Sequence, residues 1–144
     1  MPETIKNQLI EEERKILYVD VHLFPSLWGR SDCDNGVYKE TIDGVHVYST
    51  YNSFDGSRLC DEETFDMLGL HLSTTWAYGL AVAFRRKNRH SPIVVWSKLP
   101  TRDSRRFMDE ISFPYDAVRF EYGLSGLDEK LRNAVMEFMR IENA

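Results

Sequence analysis

Asp43-Gly44 sets the first firm constraint on this chain. The pair stands between two β-rich runs, Val37 to Ile42 and Val45 to Thr50. An Asp-Gly pair accepts the positive φ values of a type I′ turn, whose twist matches that of paired strands. A two-residue loop also fixes register, so Ile42 must face Val45, Glu40 must face Val47 and Tyr38 must face Ser49. The other face of this hairpin carries Val37, Lys39, Thr41, His46, Tyr48 and Thr50.

The same two-residue period recurs along the chain. Leu17, Val19, Val21 and Leu23 alternate with Tyr18, Asp20, His22 and Phe24, which predicts a strand ended by Pro25. Leu80, Val82 and Phe84 alternate with Ala81, Ala83 and Arg85. That pattern predicts another strand, returning through a KNRHSP turn to Ile93 to Lys98. Val118, Phe120 and Tyr122 predict the last strand. Helical spacing predicts a helix over Glu3 to Leu17, with Ile5, Leu9 and Ile16 near one face. Asp61 can cap a short helix through about Leu68 that Gly69 stops. A further helix is expected from Ser104 to Ile111, capped by Asp103 or Thr101, with Phe107 and Ile111 facing inward. Ser125 and Asp128 match a capping box ahead of a terminal amphipathic helix bearing Leu127, Leu131, Ala134, Val135 and Phe138.

The resulting order is α-β-β-β-α-β-β-α-β-α. It reads as one α+β domain over residues 1–144, with a mainly antiparallel sheet of about five to six strands. The helices are expected on one face, burying Leu9, Phe107, Leu131 and Phe138. A chain of 144 residues buries roughly 68% of its unfolded surface, enough for a core without staples. No apolar run approaches the roughly 20 residues of a membrane span. The stretch MPETIKNQLIEEERK has no apolar centre of the secretory kind, so a cytoplasmic protein is expected. A reducing compartment argues against a structural disulfide between Cys33 and Cys60, and without a CxxC partner they do not point to a metal site; no cofactor is expected.

Charge is segregated along the chain. Arg85, Arg86, Lys87, Arg89, Lys98, Arg102, Arg105 and Arg106 face a single acid, Asp103, between positions 85 and 106. The remaining chain holds ten basic and twenty-two acidic residues, and the net charge is −5. Such asymmetry concerns partners rather than fold.

Four groups of residues carry candidate chemistry. Asp20 and His22 share one side of their expected strand, and His46 and Tyr48 share one side of theirs. Should the strands adjoin, a general base with an orienting carboxylate could form; the plainer reading is a solvated sheet face. His71-Leu72-Ser73 could present an imidazole and a hydroxyl to a phosphate, although a single copy of so short a pattern arises often by chance. The basic segment, with Arg85, Arg86, Arg89, Arg102, Arg105 and Arg106, could hold an anionic or phosphate ligand near a helix N-terminus. Two loops, 24–36 and 49–60, concentrate Trp28, Arg30, Tyr51, Phe54 and Arg58, the residue types that anchor protein interfaces.

No P-loop, nucleophile elbow or dinucleotide fingerprint is present. The sequence therefore favours a non-catalytic regulatory or inhibitory protein, immunity-like in character, that docks a protein partner. The alternatives are an enzyme on a phosphate-bearing substrate, with His22 or His46 as base and an arginine clamp, and a nucleic-acid module using residues 85–106.

Overall fold

The computed structural model describes residues 13–121, 123 and 126–144. Six strands form one sheet: β1 (Arg14–Val19), β2 (Tyr38–Ile42), β3 (Val45–Thr50), β4 (Met67–His71), β5 (Ile93–Ser97) and β6 (Ala117–Phe120). Their spatial order is β2-β3-β1-β4-β5-β6. Only β2 and β3 pair antiparallel; the other four pairings are parallel. The helices are α1 (Phe24–Leu27), α2 (Ser53–Glu62), α3 (Ala77–Lys87), α4 (Thr101–Glu110) and α5 (Leu127–Glu142).

This is a mainly parallel, doubly wound α/β fold, which overturns the mainly antiparallel α+β expectation. Parallel neighbours cannot be joined by a tight turn, so helices must cross over and cover both sheet faces. One face packs Leu17, Val19, Leu68, Leu70 and Val95 against α2, α3 and α4. The other packs Ile16, Tyr18, Val47, Met67 and Trp96 against α5. Helices on a single face are thus also corrected.

The double cover explains the misread start of β1. Ile16, Leu17, Tyr18 and Val19 are all buried. A strand covered on both sides reads as an unbroken apolar run, so the residues from Arg14 belong to β1 rather than to a helix. Residues 3–12 of that expected helix, Leu9 among them, lie outside the described residues, as do Tyr122 and Ser125. Val21 and Leu23 do not extend β1. Asp20 accepts from the His22 amide and starts a 3-10 turn over Val21–Leu23.

The supposed strand at Leu80–Phe84 is α3. Its buried residues, Ala77, Leu80, Ala81 and Phe84, follow i, i+3, i+4, i+7, and two alanines had imitated alternation. The short helix placed at Asp61–Leu68 is displaced: α2 begins at Ser53 behind Asn52, whose side chain accepts from Asp55 N–H, and Met67–His71 is a buried strand. On α4 the inward residues are Ser104 and Met108, while Phe107 and Ile111 are exposed. Pro100 precedes α4 and Gly126 precedes α5, neither supplying a side-chain cap.

The hairpin stands as expected. Asp43 and Gly44 both hold positive φ, and the register pairs Ile42 with Val45, Glu40 with Val47 and Tyr38 with Ser49. The inward stripe of α5 likewise holds Leu127, Leu131, Ala134, Val135 and Phe138.

Topology positions the site. β1 lies between β3 and β4, so the order reverses beside its C-terminal end. Open parallel sheets leave a crevice at such a switch point. Asp20 follows β1, His71 ends β4, Ser97 ends β5 and Glu121 follows β6, all on that edge.

Gly69 keeps the strands beneath this edge close together. A Cβ there would lie 2.8 Å from Tyr18 Cδ1 and 3.0 Å from Trp96 Cζ3. Neither ring moves freely, because Tyr18 Oη donates to Asp20 and Trp96 Nε1 donates to Asn133. Gly69→Ala is therefore expected to cost about 1–3 kcal/mol. The readout is a lower urea midpoint at unchanged slope; a midpoint equal to the parent's would show the rings to be mobile.

Candidate functional site

The chemistry of the edge begins with Asp20, which has no solvent exposure. Its amide donates to Thr50 O, continuing the β1–β3 ladder by one residue. Its carboxylate accepts from three donors: His22 N–H at 2.8 Å, Tyr18 Oη at 2.8 Å and Lys130 Nζ at 2.9 Å. Lys130 reaches down from α5 and donates also to Glu121 Oε2 at 3.0 Å. All three charges are buried. Two carboxylates thus share one ammonium, leaving the set one negative charge in excess.

His71 borders this set. Its Nδ1 accepts from Ser73 N–H at 3.2 Å and lies 2.7 Å from Ser73 Oγ. The backbone donor assigns the ring proton to Nε2. That nitrogen sits 3.1 Å from Glu121 Oε2 at an angle too poor for a hydrogen bond, so the attraction is electrostatic. His22 packs edge-on to His71 with centroids 4.7 Å apart, and its Nε2 lies 3.1 Å from the same Ser73 Oγ. Asp20, His22 and His71 each bring a ligating atom within 4.8 Å of the others.

Environment moves two of these groups. Burial alone would raise the Asp20 carboxyl, but the Lys130 ammonium, His71 and the Tyr18 hydroxyl outweigh it and hold it below the ordinary 3.8. Burial pushes His71 below its ordinary 6.5, against the pull of Asp20 and Glu121. His71 is therefore a neutral imidazole at neutral pH.

Of the four residues grouped by the sequence, Asp20 and His22 meet at the edge, while His46 and Tyr48 stand elsewhere. His46 is in register with Lys15, four residues before Thr50 and so about 13 Å down the strand. Its Nδ1 lies 2.9 Å from Thr41 Oγ1. Tyr48 donates to Glu63, which also pairs with Lys15. The structure instead adds His71, Ser73, Glu121 and Lys130. Lys130 left a signal in sequence: with Leu127, Leu131 and Ala134 it occupies the apolar stripe of α5, where an unpaired lysine is too costly to keep.

The loop residues gather beside the polar edge. Phe24 stacks on Trp28 and meets Tyr51 edge-on. Phe24, Tyr51, Phe54 and Trp76, with Val21 and Thr74, line a cavity of about 420 Å³. A second, of about 560 Å³, continues along Phe54, Ser57, Trp76 and Leu80. Phe54 is 83% exposed, Trp76 74% and Trp28 67%. Trp76 also holds a left-handed φ of 65°, strained for a bulky side chain. Arg30 pairs with Asp32 and covers the Tyr38 ring, and Arg58 pairs with Asp55. Arg85 is tied to Asp116, whereas Arg86, Arg89, Arg102, Arg105 and Arg106 are exposed at the end of α3 and along α4.

No protein-family model matches this chain, and no curated protein matches it in sequence. Solved structures do. A response regulator receiver protein from Sinorhizobium medicae is 15% identical with a TM-score of 0.55, covering 90% of this chain and 96% of its own. A CheY-like receiver domain protein from Methanospirillum hungatei is 13% identical with a TM-score of 0.56, covering 90% and 98%. A response regulator protein from Burkholderia pseudomallei, solved with a phosphorylated aspartic acid, a calcium ion and citrate, is 12% identical with a TM-score of 0.53, covering 85% and 72%. The likeness establishes a receiver-like, mainly parallel fold.

Two outcomes test the buried charges. Lys130→Met strands Asp20 and Glu121 without their counter-charge and is expected to cost about 3–5 kcal/mol in urea unfolding at neutral pH; a loss under about 1 kcal/mol would show the set to be solvated. His71, with its depressed folded value, contributes stability above its ordinary 6.5 that fades as pH falls through the folded value, because the unfolded chain takes the proton first. The slope of stability against pH just below 6.5 should flatten in His71→Asn; an unchanged slope would place the titration elsewhere.

Proposed function

We propose that this chain is a regulatory domain that docks a protein partner against the aromatic edge of its sheet. One observation carries the reading: Phe24, Trp28, Phe54 and Trp76 form a continuous exposed aromatic surface at the crevice end of a parallel sheet. Contiguous apolar surface of this kind marks interaction sites, and tryptophan is a favoured anchor. The strained φ of Trp76 adds to it, since its rings gain nothing from burial in the free chain. The receiver-like fold supports a regulatory class, as the similar structures are response regulator proteins.

Arg86 borders the same side of α3 as Trp76, and Arg102, Arg105 and Arg106 are exposed on α4. Such a basic surface favours a protein whose apolar contact is bordered by acidic groups, and complementary charge would speed and orient encounter. An inhibitory mode, in which the partner's own site is covered, is the narrower form of this proposal. A cytoplasmic setting suits the free thiols of Cys33 and Cys60. Among the described residues no helix is long and apolar enough to cross a membrane.

The Burkholderia protein carries a phosphorylated aspartate and a calcium ion. This chain's edge suits neither group. Asp20 and Glu121 are both buried and both grip Lys130, so neither carboxylate is free to attack a phosphoryl donor. Calcium takes six to eight oxygen ligands, and an ammonium 2.9 Å from Asp20 would repel it. We read docking here as independent of aspartyl phosphorylation.

The test replaces Phe54 with a photo-crosslinking phenylalanine analogue in the full chain, expressed in its source cell. One dominant protein adduct is expected. Trp76→Gly should reduce that adduct about tenfold or more, yet unfold at an equal or higher urea midpoint because glycine relieves the left-handed φ. An adduct undiminished by Trp76→Gly, or no adduct from a folded chain, would reject the aromatic edge as the docking surface.

A further inference from the structure

We propose that Ser73 is an activated nucleophile that accepts an acyl group from small apolar esters or thioesters. Three side chains stand in line at the edge. Ser73, exposed in the turn after β4, places its Oγ 2.7 Å from His71 Nδ1. His71 is 1% exposed, and its proton-bearing Nε2 faces Glu121 Oε2 at 3.1 Å. A nucleophile in contact with its base, and a carboxylate that acts on the base's far nitrogen through charge rather than a hydrogen bond, can make a weak hydroxyl reactive. The role of Ser73 rests on this geometry, and only the substrate class draws on the cavity that Phe24 and Trp76 of the aromatic edge also line.

Each neighbour adds a function. The Ser73 amide, at 3.2 Å from Nδ1, fixes the ring's orientation, while the hydroxyl makes the shorter contact. The buried set of Asp20, Glu121 and Lys130 carries one excess negative charge, which meets the imidazolium as it forms. Glu121 is thereby a positioning residue rather than a catalytic one. His22, exposed and 3.1 Å from the same Oγ, holds the hydroxyl from the solvent side.

The substrate class comes from the adjoining cavity. Val21 and Thr74, the residues next to His22 and Ser73 in sequence, belong to its wall, and Phe24, Tyr51 and Trp76 make the remainder largely apolar. At about 420 Å³ it admits a short acyl chain and no large polar group. In the step proposed, Ser73 Oγ bonds to the acyl carbonyl carbon and its proton passes to His71 Nδ1. The bond from that carbon to the ester oxygen or thioester sulfur then breaks, and the departing alcohol or thiol takes the proton. Water next attacks the Ser73 ester with His71 again receiving a proton; the carboxylic acid leaves and the hydroxyl is restored.

The experiment treats the full folded chain with a fluorophosphonate probe and, separately, with p-nitrophenyl butyrate. One phosphonyl adduct is expected, mapped by peptide mass to Ser73, with butyrate release above the rate in buffer alone. Ser73→Ala should abolish the adduct and lower release about a hundredfold or more, while still unfolding cooperatively because the Ser73 N–H continues to hold His71 Nδ1. In the parent, release should rise with pH as His71 loses its proton, and Glu121→Gln should shift that profile while leaving Ser73 the labelled residue. Absence of an adduct from the folded chain, an adduct on another residue, or a Ser73→Ala variant hydrolysing at the parent's rate would overturn the proposal.

Discussion

A single ammonium, Lys130 Nζ, sits between two buried carboxylates, 2.9 Å from Asp20 and 3.0 Å from Glu121. It ties the end of β1 to the end of β6 through a helix more than a hundred residues downstream of Asp20. Removing charges from water is costly, and their mutual attraction repays that cost only when the remaining lone pairs are also satisfied. Here the Tyr18 hydroxyl and the His22 amide complete Asp20, while His71 stands against Glu121. The sheet edge is consequently a set of mutually held side chains, and the placement of every functional group follows from it.

Two consequences run in opposite directions. For Asp20 and Glu121 the arrangement removes freedom: they are stabilised as charges but occupied, so they serve as scaffolding. For His71 and Ser73 it creates a use, because a neutral imidazole with negative charge behind it and a hydroxyl in front is chemically directed. Beside this polar centre the aromatic rim is under no internal demand at all. Phe54, in the first turn of α2, and Trp76, at the start of α3, stand beside segments fastened to the edge by side-chain bonds, Val21 N–H to Thr74 Oγ1 and Ser53 Oγ–H to Thr75 O. A rigid polar floor with an exposed apolar rim is the form expected of a surface that meets another molecule.

The legible and illegible parts of the sequence divide along physical lines. Asp43-Gly44 and the α5 stripe were readable because each is a local rule: a turn needing positive φ, and a helix wet on one side. The strand β4 and the start of β1 were obscured because helices cover both faces, so the alternation that marks a half-buried strand is missing from MLGLH, whereas β5 was legible from the turn before it and the Pro100 after it. In α3 the error ran the other way, since alanines at 81 and 83 left Leu80, Val82 and Phe84 looking like one face of a strand. At the site, Asp20, His22 and the His71-Leu72-Ser73 pattern could be singled out as functional residue types. Their convergence could not be read, because it depends on β1 and β4 being parallel neighbours. Glu121 was hidden more deeply, resembling an ordinary surface charge until the topology buried it, while Lys130 showed only as a charge set within the apolar stripe of α5.

A double-mutant cycle between Asp20 and Lys130 tests this account most directly. Asp20→Asn, Lys130→Met and the double variant are unfolded in urea at neutral pH, and the coupling energy is taken from the three differences. A directly paired, buried ion network predicts coupling of about 2 kcal/mol or more, with the double variant less damaged than the singles would sum to. Additivity within about 0.5 kcal/mol would mean that the two residues act independently, and the edge would lose its organising interaction.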